Sequence, residues 1–194
     1  MSAATRLPDA MTATEFLDWT PPHGGDRWEL VDGRPRAMAP ASPRHGSIQG
    51  ETNRLLGNHL AAQTECRVVI EPGIRPRVDA AHNIRVPDLA ITCAPWEDDE
   101  RVLAAPLVLV EILSPSNKAD TWTNVWSYTT IPSVAEILVL HTAEIRGELL
   151  RRQDDGLWPD DPLQLLAGDD AHLESIGFAG PLAGFYRTSG LTGR

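Results

Sequence analysis

The chain has 194 residues, 17 Lys and Arg against 27 Asp and Glu, and a formal net charge of −10. An acid excess of that size excludes broad electrostatic capture of nucleic acid, because affinity for the phosphate backbone comes largely from Lys and Arg; it leaves room for a local basic groove, and for carboxylates clustered around a divalent cation. With 42% hydrophobic and 23% charged residues the chain reads as one soluble globular domain over 1–194. No apolar run approaches the ~20 residues of a membrane span, and the N-terminal "MSAATRLPDAMTATEF" lacks the apolar core of a secretory signal. Cys66 and Cys93 each sit in apolar surroundings, read as buried free thiols, and fit a cytoplasmic setting.

The elements follow in chain order. "TATEFLDW" predicts a short helix capped by Thr12 or Thr14, and "PPHGGD" a loop. "RWELVDGRPRAMAP" is a hairpin signal, with Asp32-Gly33 suited to a type I′ turn. "SPRHGSIQGETNRLLGNHLAAQ" predicts a long helix, capped by Ser42, with Pro43 in its first turn and Ile48, Leu55, Leu56 and Leu60 at near-helical spacing. Strand-like stretches follow at 66–78 and 84–94, with a turn at "DAAHN" between them and an acidic surface loop at 95–105 after them. Residues 107–113 read as a strand buried on both faces. Residues 120–131 predict a helix capped by Asp120 and stopped before Pro132, and 134–140 another buried strand. Weaker strand signals lie at "GELLRRQ", "LQLL" and "HLESIG". This order predicts a mixed α/β or α+β domain around one central sheet.

Three carboxylates sit on predicted strands beside apolar residues: Glu29 in "WELVDG", Asp88 in "VPDLAI" and Glu111 in "LVEIL". A buried charge costs several kcal/mol unless it is paired, protonated or metal-bound. Asp88 and Glu111, if on adjacent strands, could chelate a hard divalent cation, Mg²⁺ or Mn²⁺, which takes one or two carboxylates plus waters and substrate phosphate. Structural roles are available to each: Glu29 could face solvent or pair with Arg27 or Arg34, Asp88 could cap a turn after Pro87, and Glu111 could pair with a buried Arg. His45, at the start of the long helix, could be a polar surface residue or contact phosphate. His23, His59, His82, His141 and His172 form no metal-ligand spacing, and two distant cysteines do not build a zinc site. Trp122, Trp126 and Tyr128 read as core packing or a dimer face, with a base-stacking platform as the alternative.

Taken together, "MTATEFLDW", "WELVDG", "SPRHGSI", "VPDLAI", "VEILSPSN" and "IPSVAEILVL", in that order, resemble the Uma family of restriction-endonuclease-like proteins, of the PD-(D/E)XK nuclease superfamily. The resemblance covers roughly residues 11 to 187. It implies a restriction-endonuclease-like fold, a mixed central sheet flanked by helices, and metal-dependent phosphodiester hydrolysis. It also implies Asp88 and Glu111 as metal ligands, with Glu29 and His45 at matching motif positions. The superfamily lysine, two residues after the second acid, is here Leu113. Many Uma-type sequences carry a lysine instead in D-x-x-x-K-x-x-x-Y, which here reads "DTWTNVWSY", with Asn124 at the lysine position. Residues 120, 124 and 128 share one helix face, but its cation is gone; Lys118, Arg75 and Arg85 are the nearest substitutes. The readings that follow are a Mg²⁺- or Mn²⁺-dependent nuclease acting on nucleic acid, DNA foremost, as a homodimer by analogy; a non-catalytic relative that binds nucleic acid or protein; and an unrelated α/β protein.

Overall fold

The computed structural model describes residues 10–21, 27–61 and 65–192. The expected loop at 22–26, with His23, and the end of the long-helix stretch at 62–64 lie outside the described residues.

Helix α1, Ala13–Asp18, starts on Thr12, whose hydroxyl accepts from the Glu15 N–H while the Glu15 carboxylate accepts from the Thr12 N–H, a reciprocal capping box. Strands β1, Trp28–Val31, and β2, Arg34–Ala37, form the expected hairpin. Asp32 and Gly33 both take positive φ, 48° and 77°, as a type I′ turn requires. Helix α2, Pro43–Leu60, is capped by Ser42, which accepts from the His45 N–H at 3.2 Å.

The central sheet has six strands in the order β3-β4-β5-β6-β7-β8: Arg67–Ile70, Leu89–Thr92, Pro106–Leu113, Glu136–His141, Arg146–Arg151 and Leu163–Leu166. Only β5 and β6 run parallel, and helix α3, Lys118–Tyr128, makes the crossover between them. The alternating pleat of β5 separates two cores. Val108, Val110 and Ile112 pack with Ile48, Leu56 and Leu60 of α2 and with Phe178, Phe185 and Tyr186 of the C-terminal segment. Leu109 and Leu113 pack with Val125 and Tyr128 of α3. A further antiparallel pair, β9 (Asp170–Leu173) and β10 (Phe178–Pro181), closes the α2 side. A mixed central sheet flanked by helices, with an N-terminal helix and hairpin, is the architecture expected.

Several local expectations are corrected. The stretches 66–78 and 84–94 hold only the short β3 and β4 plus isolated bridges, Ile74 to Arg85 and Leu30 to Ile84. Pro72, Pro76 and Pro87 lack the N–H a continuous ladder needs. Asp88 therefore stands just ahead of β4 rather than within it. Asp120 is not the cap of α3: a 3₁₀ turn at Pro115–Asn117 leads directly into the helix, placing Asp120 in its first turn.

Cys66 and Cys93 are joined in a disulfide, which overturns their reading as free thiols. The register pairs Arg67 with Thr92, so the residues just outside that pair stand opposite each other, their Cα atoms 4.0 Å apart. The thiol argument for a cytoplasmic setting falls with it. Among the described residues no helix is long and apolar enough to cross a membrane. The bond closes a loop with a sequence separation of 27, so reduction is expected to cost about 3 kcal/mol. Scanning fluorimetry with and without reductant should show the midpoint falling by about 6–12 °C; an unchanged midpoint would contradict the bond's structural role.

Candidate active site

Glu111 shares the side of β5 that carries Leu109 and Leu113, so its carboxylate projects towards α3. There the Tyr128 hydroxyl donates to Glu111 Oε1 at 2.5 Å. Continuing the β4–β5 register, Leu89 opposite Val110, by one residue sets Asp88 opposite Glu111, and residues opposed across an antiparallel pair face the same side. Asp88 is held by both oxygens: Oδ1 lies 2.8 Å from His45 Nε2, and Oδ2 accepts from the Ile112 N–H at 2.6 Å. Gln49, one turn along α2, donates to the Asp88 backbone carbonyl and to Glu71, at 3.1 Å each.

Glu29 enters from the hairpin. It is 5% exposed, and its Oε1 accepts from the Val86 N–H at 3.0 Å and from Asn124 Nδ2 at 3.2 Å. The face of α3 expected at 120, 124 and 128 is thus aimed at the site: Asp120 pairs with Arg36, Asn124 holds Glu29, and Tyr128 holds Glu111. Glu29, His45, Asp88, Glu111 and Asn124 all line one open cleft of about 330 Å³.

The electrostatics follow from burial. Loss of solvent, then the charge of Asp88, pushes the Glu111 carboxyl well above its ordinary range, against the opposing Tyr128 hydrogen bond. Burial likewise raises Glu29, opposed by the Val86 N–H and by Arg85 and Arg36. Burial, then Glu111, raises Tyr128 far above an ordinary phenol, so its hydroxyl stays a donor. Among the described residues neither Glu29 nor Glu111 has an ion-pair partner within 4 Å, so the expected alternatives of Arg27 or Arg34 for Glu29 and a buried Arg for Glu111 are not realised. Arg27 pairs with Glu71 instead.

Among the described residues no group of three or more His, Cys, Asp and Glu side chains forms a metal-holding set. What the cleft offers is a smaller, all-oxygen set: two carboxylates facing each other, each oxygen engaged by at most one protein donor, with an unbalanced negative charge. That fits a hard cation that keeps several waters, and does not suit zinc.

The substitutes considered for the lysine are placed elsewhere. Arg85 is buried and donates to the Leu30 carbonyl at 3.1 Å, Arg75 is exposed, and neither they nor Lys118 line the cleft. Two guanidiniums do, Arg27 and Arg36, and of these Arg36 has no role in the sequence reading. The two-residue turn at 32–33 already fixes position 29 opposite 36, which is the signal that could have found it. Trp122 and Tyr128 pack into the α3 core, whereas Trp126 is 42% exposed.

None of the curated proteins matches the chain. A solved structure described as a putative nuclease belonging to DUF820, from Anabaena variabilis ATCC 29413, shares the fold with a TM-score of 0.74 at 17% identity, over 91% of this chain and 98% of that one. The match is to a restriction-endonuclease-like fold, as expected. Residues 13–180 match the family model described as "Uma2: Putative restriction endonuclease", and the chain belongs to that family.

Proposed function

We propose that this chain is a Mg²⁺- or Mn²⁺-dependent nuclease that hydrolyses phosphodiester bonds in nucleic acid, DNA foremost. One observation carries the reading: Asp88, just ahead of β4, and Glu111, on β5, are buried opposite each other, and among the described residues no Lys or Arg pairs with either. When bound there, the metal supplies charge stabilisation at a phosphoryl oxygen and a more acidic water. The chain's own residues prepare the site. His45 and the Ile112 N–H fix the two oxygens of Asp88, and Tyr128 fixes Glu111. Glu29 has Oε1 taken up by Val86 and Asn124, leaving Oε2 to accept a proton from the attacking water. Membership of a restriction-endonuclease family and the shared fold of a protein described as a nuclease support the same reading. A homodimer belongs to the proposal, since cutting two strands calls for two such clefts; light scattering measures it.

A second reading, a non-catalytic binding relative, is favoured by Asn124, which brings a hydrogen bond to Glu29 where the family pattern brings a charge. Cleavage of plasmid DNA and of RNA with each metal, by wild type and Asn124→Lys, separates the two. On the nuclease reading wild type cleaves, and a lysine at 124 is drawn to the Glu29 carboxylate, changing the rate by less than about tenfold. On the second reading wild type is inert and the lysine creates activity.

A further inference from the structure

We propose that Arg36 is the cleft's phosphate-binding cation and that Asp120 competes with the phosphate for it. The inference rests on the nuclease reading and deepens it. Four carboxylates line the cleft among the described residues, Glu29, Asp88, Glu111 and Asp120, and only two guanidiniums, Arg27 and Arg36. A phosphodiester carries a negative charge into that field, so a cation must meet it. Arg27 is engaged with Glu71, itself held from a second side by Gln49. Arg36 stands directly across the hairpin from Glu29, on the same face, and crosses to Asp120 in the first turn of α3.

Its pairing is of the exchangeable kind. The side chains of Arg36 and Asp120 are 50% and 51% exposed, and an exposed ion pair is weak because water screens it and two long side chains must be ordered. A phosphate offers a guanidinium two parallel charge-assisted hydrogen bonds, a stronger geometry. Arg36 is thus parked on Asp120 in the free protein and is available to an entering phosphodiester. Asn124, one turn further along α3 and turned towards Glu29, leaves this role to the hairpin.

The test is binding of a fluorescein-labelled DNA duplex, followed by anisotropy in Ca²⁺ buffer across a range of salt. Arg36→Gln should weaken binding about tenfold and lower the slope of log affinity against log salt by about one. Arg36→Lys should restore the slope and part of the affinity. Asp120→Asn should tighten binding about threefold in the wild type but not in the Arg36→Gln background, the signature of a direct coupling. Thermal midpoints of all variants should stay within about 2 °C of wild type, as for exposed substitutions. An unchanged affinity and salt slope in Arg36→Gln overturns the inference while leaving the nuclease reading in place. Equal tightening by Asp120→Asn in both backgrounds also overturns it, since that is a general field effect. Failure of the wild type to bind the duplex at all overturns both.

Discussion

Asp88→Asn is expected to lower metal-dependent cleavage by at least about a hundredfold, the scale on which a missing charge-stabilising group acts, while leaving the fold unchanged. The substitution is close to isosteric, and its hydrogen bonds can survive. The new amide oxygen can accept from the Ile112 N–H, and the new amide nitrogen can donate to His45 Nε2 in the tautomer that accepts. Only the negative charge is lost, and with it the affinity for a hard cation. Ala at the same position would instead leave the Ile112 N–H without its partner, a buried donor costing about 1–3 kcal/mol. A rate assay on Asp88→Asn, beside a melting curve, therefore separates the chemical role from the structural one. Retained cleavage in a folded variant would remove Asp88 from the mechanism.

Glu111→Gln should lose cleavage to the same degree and at the same time stabilise the metal-free protein. Glu111 is buried on an apolar strand, faces Asp88, and accepts a hydrogen bond from Tyr128. Gln keeps that bond through its oxygen and offers Asp88 a donor in place of a like charge. Because burial and Asp88 hold the folded carboxyl well above its ordinary 4.5, the folded state binds the proton more tightly than the unfolded chain. The stability this contributes is fully present below about 4.5 and is lost as pH rises through the folded value. Glu29, raised by burial, acts in the same direction. Glu15, held down by the Thr12 N–H and hydroxyl, acts oppositely, with stability present above its ordinary value and lost as pH falls through its folded one. In EDTA, wild-type melting should therefore rise as pH is lowered from 8 towards about 5, and Glu111→Gln should flatten that rise. At neutral pH the variant should melt at least about 3 °C higher, equivalent to about 1 kcal/mol in a chain of this size. A variant that melts lower than wild type across the range would show that the buried carboxylate carries no electrostatic cost.

The parts of this site that the sequence discloses are those set by local patterning. The Asp32-Gly33 pair suits a type I′ turn, and it places Glu29 on the hairpin. The apolar run 107–113, short and rich in Val and Ile, reads as a buried strand, and Glu111 within it is conspicuous because so little else there is polar. The four-residue spacing of Asp120, Asn124 and Tyr128 forces one helix face, which the fold turns towards the carboxylates. What escapes the sequence depends on registers and loops spanning many residues. Residues 71–88 form an irregular excursion broken by prolines, so the placement of Asp88 ahead of β4, and the meeting of Cys66 with Cys93, follow only once β3 and β4 are paired. Strand β10 leaves no clear sequence signal because "FAGP" carries little strand propensity and pairs with β9 through backbone groups. The His45 contact with Asp88 spans 43 residues; the helix-start position of His45 was legible, its partner was not. Tyr128 stood in the family pattern, yet nothing local indicated that its hydroxyl would reach Glu111, on the preceding strand.

If Asp88 and Glu111 together hold one divalent cation, as proposed, Mn²⁺ binding measured by electron paramagnetic resonance on the DNA-free protein will register it. One bound Mn²⁺ per chain is expected in the wild type, lost in Asp88→Asn and in Glu111→Gln, with both variants folded. Mn²⁺ bound equally well by all three, or by none, would contradict it.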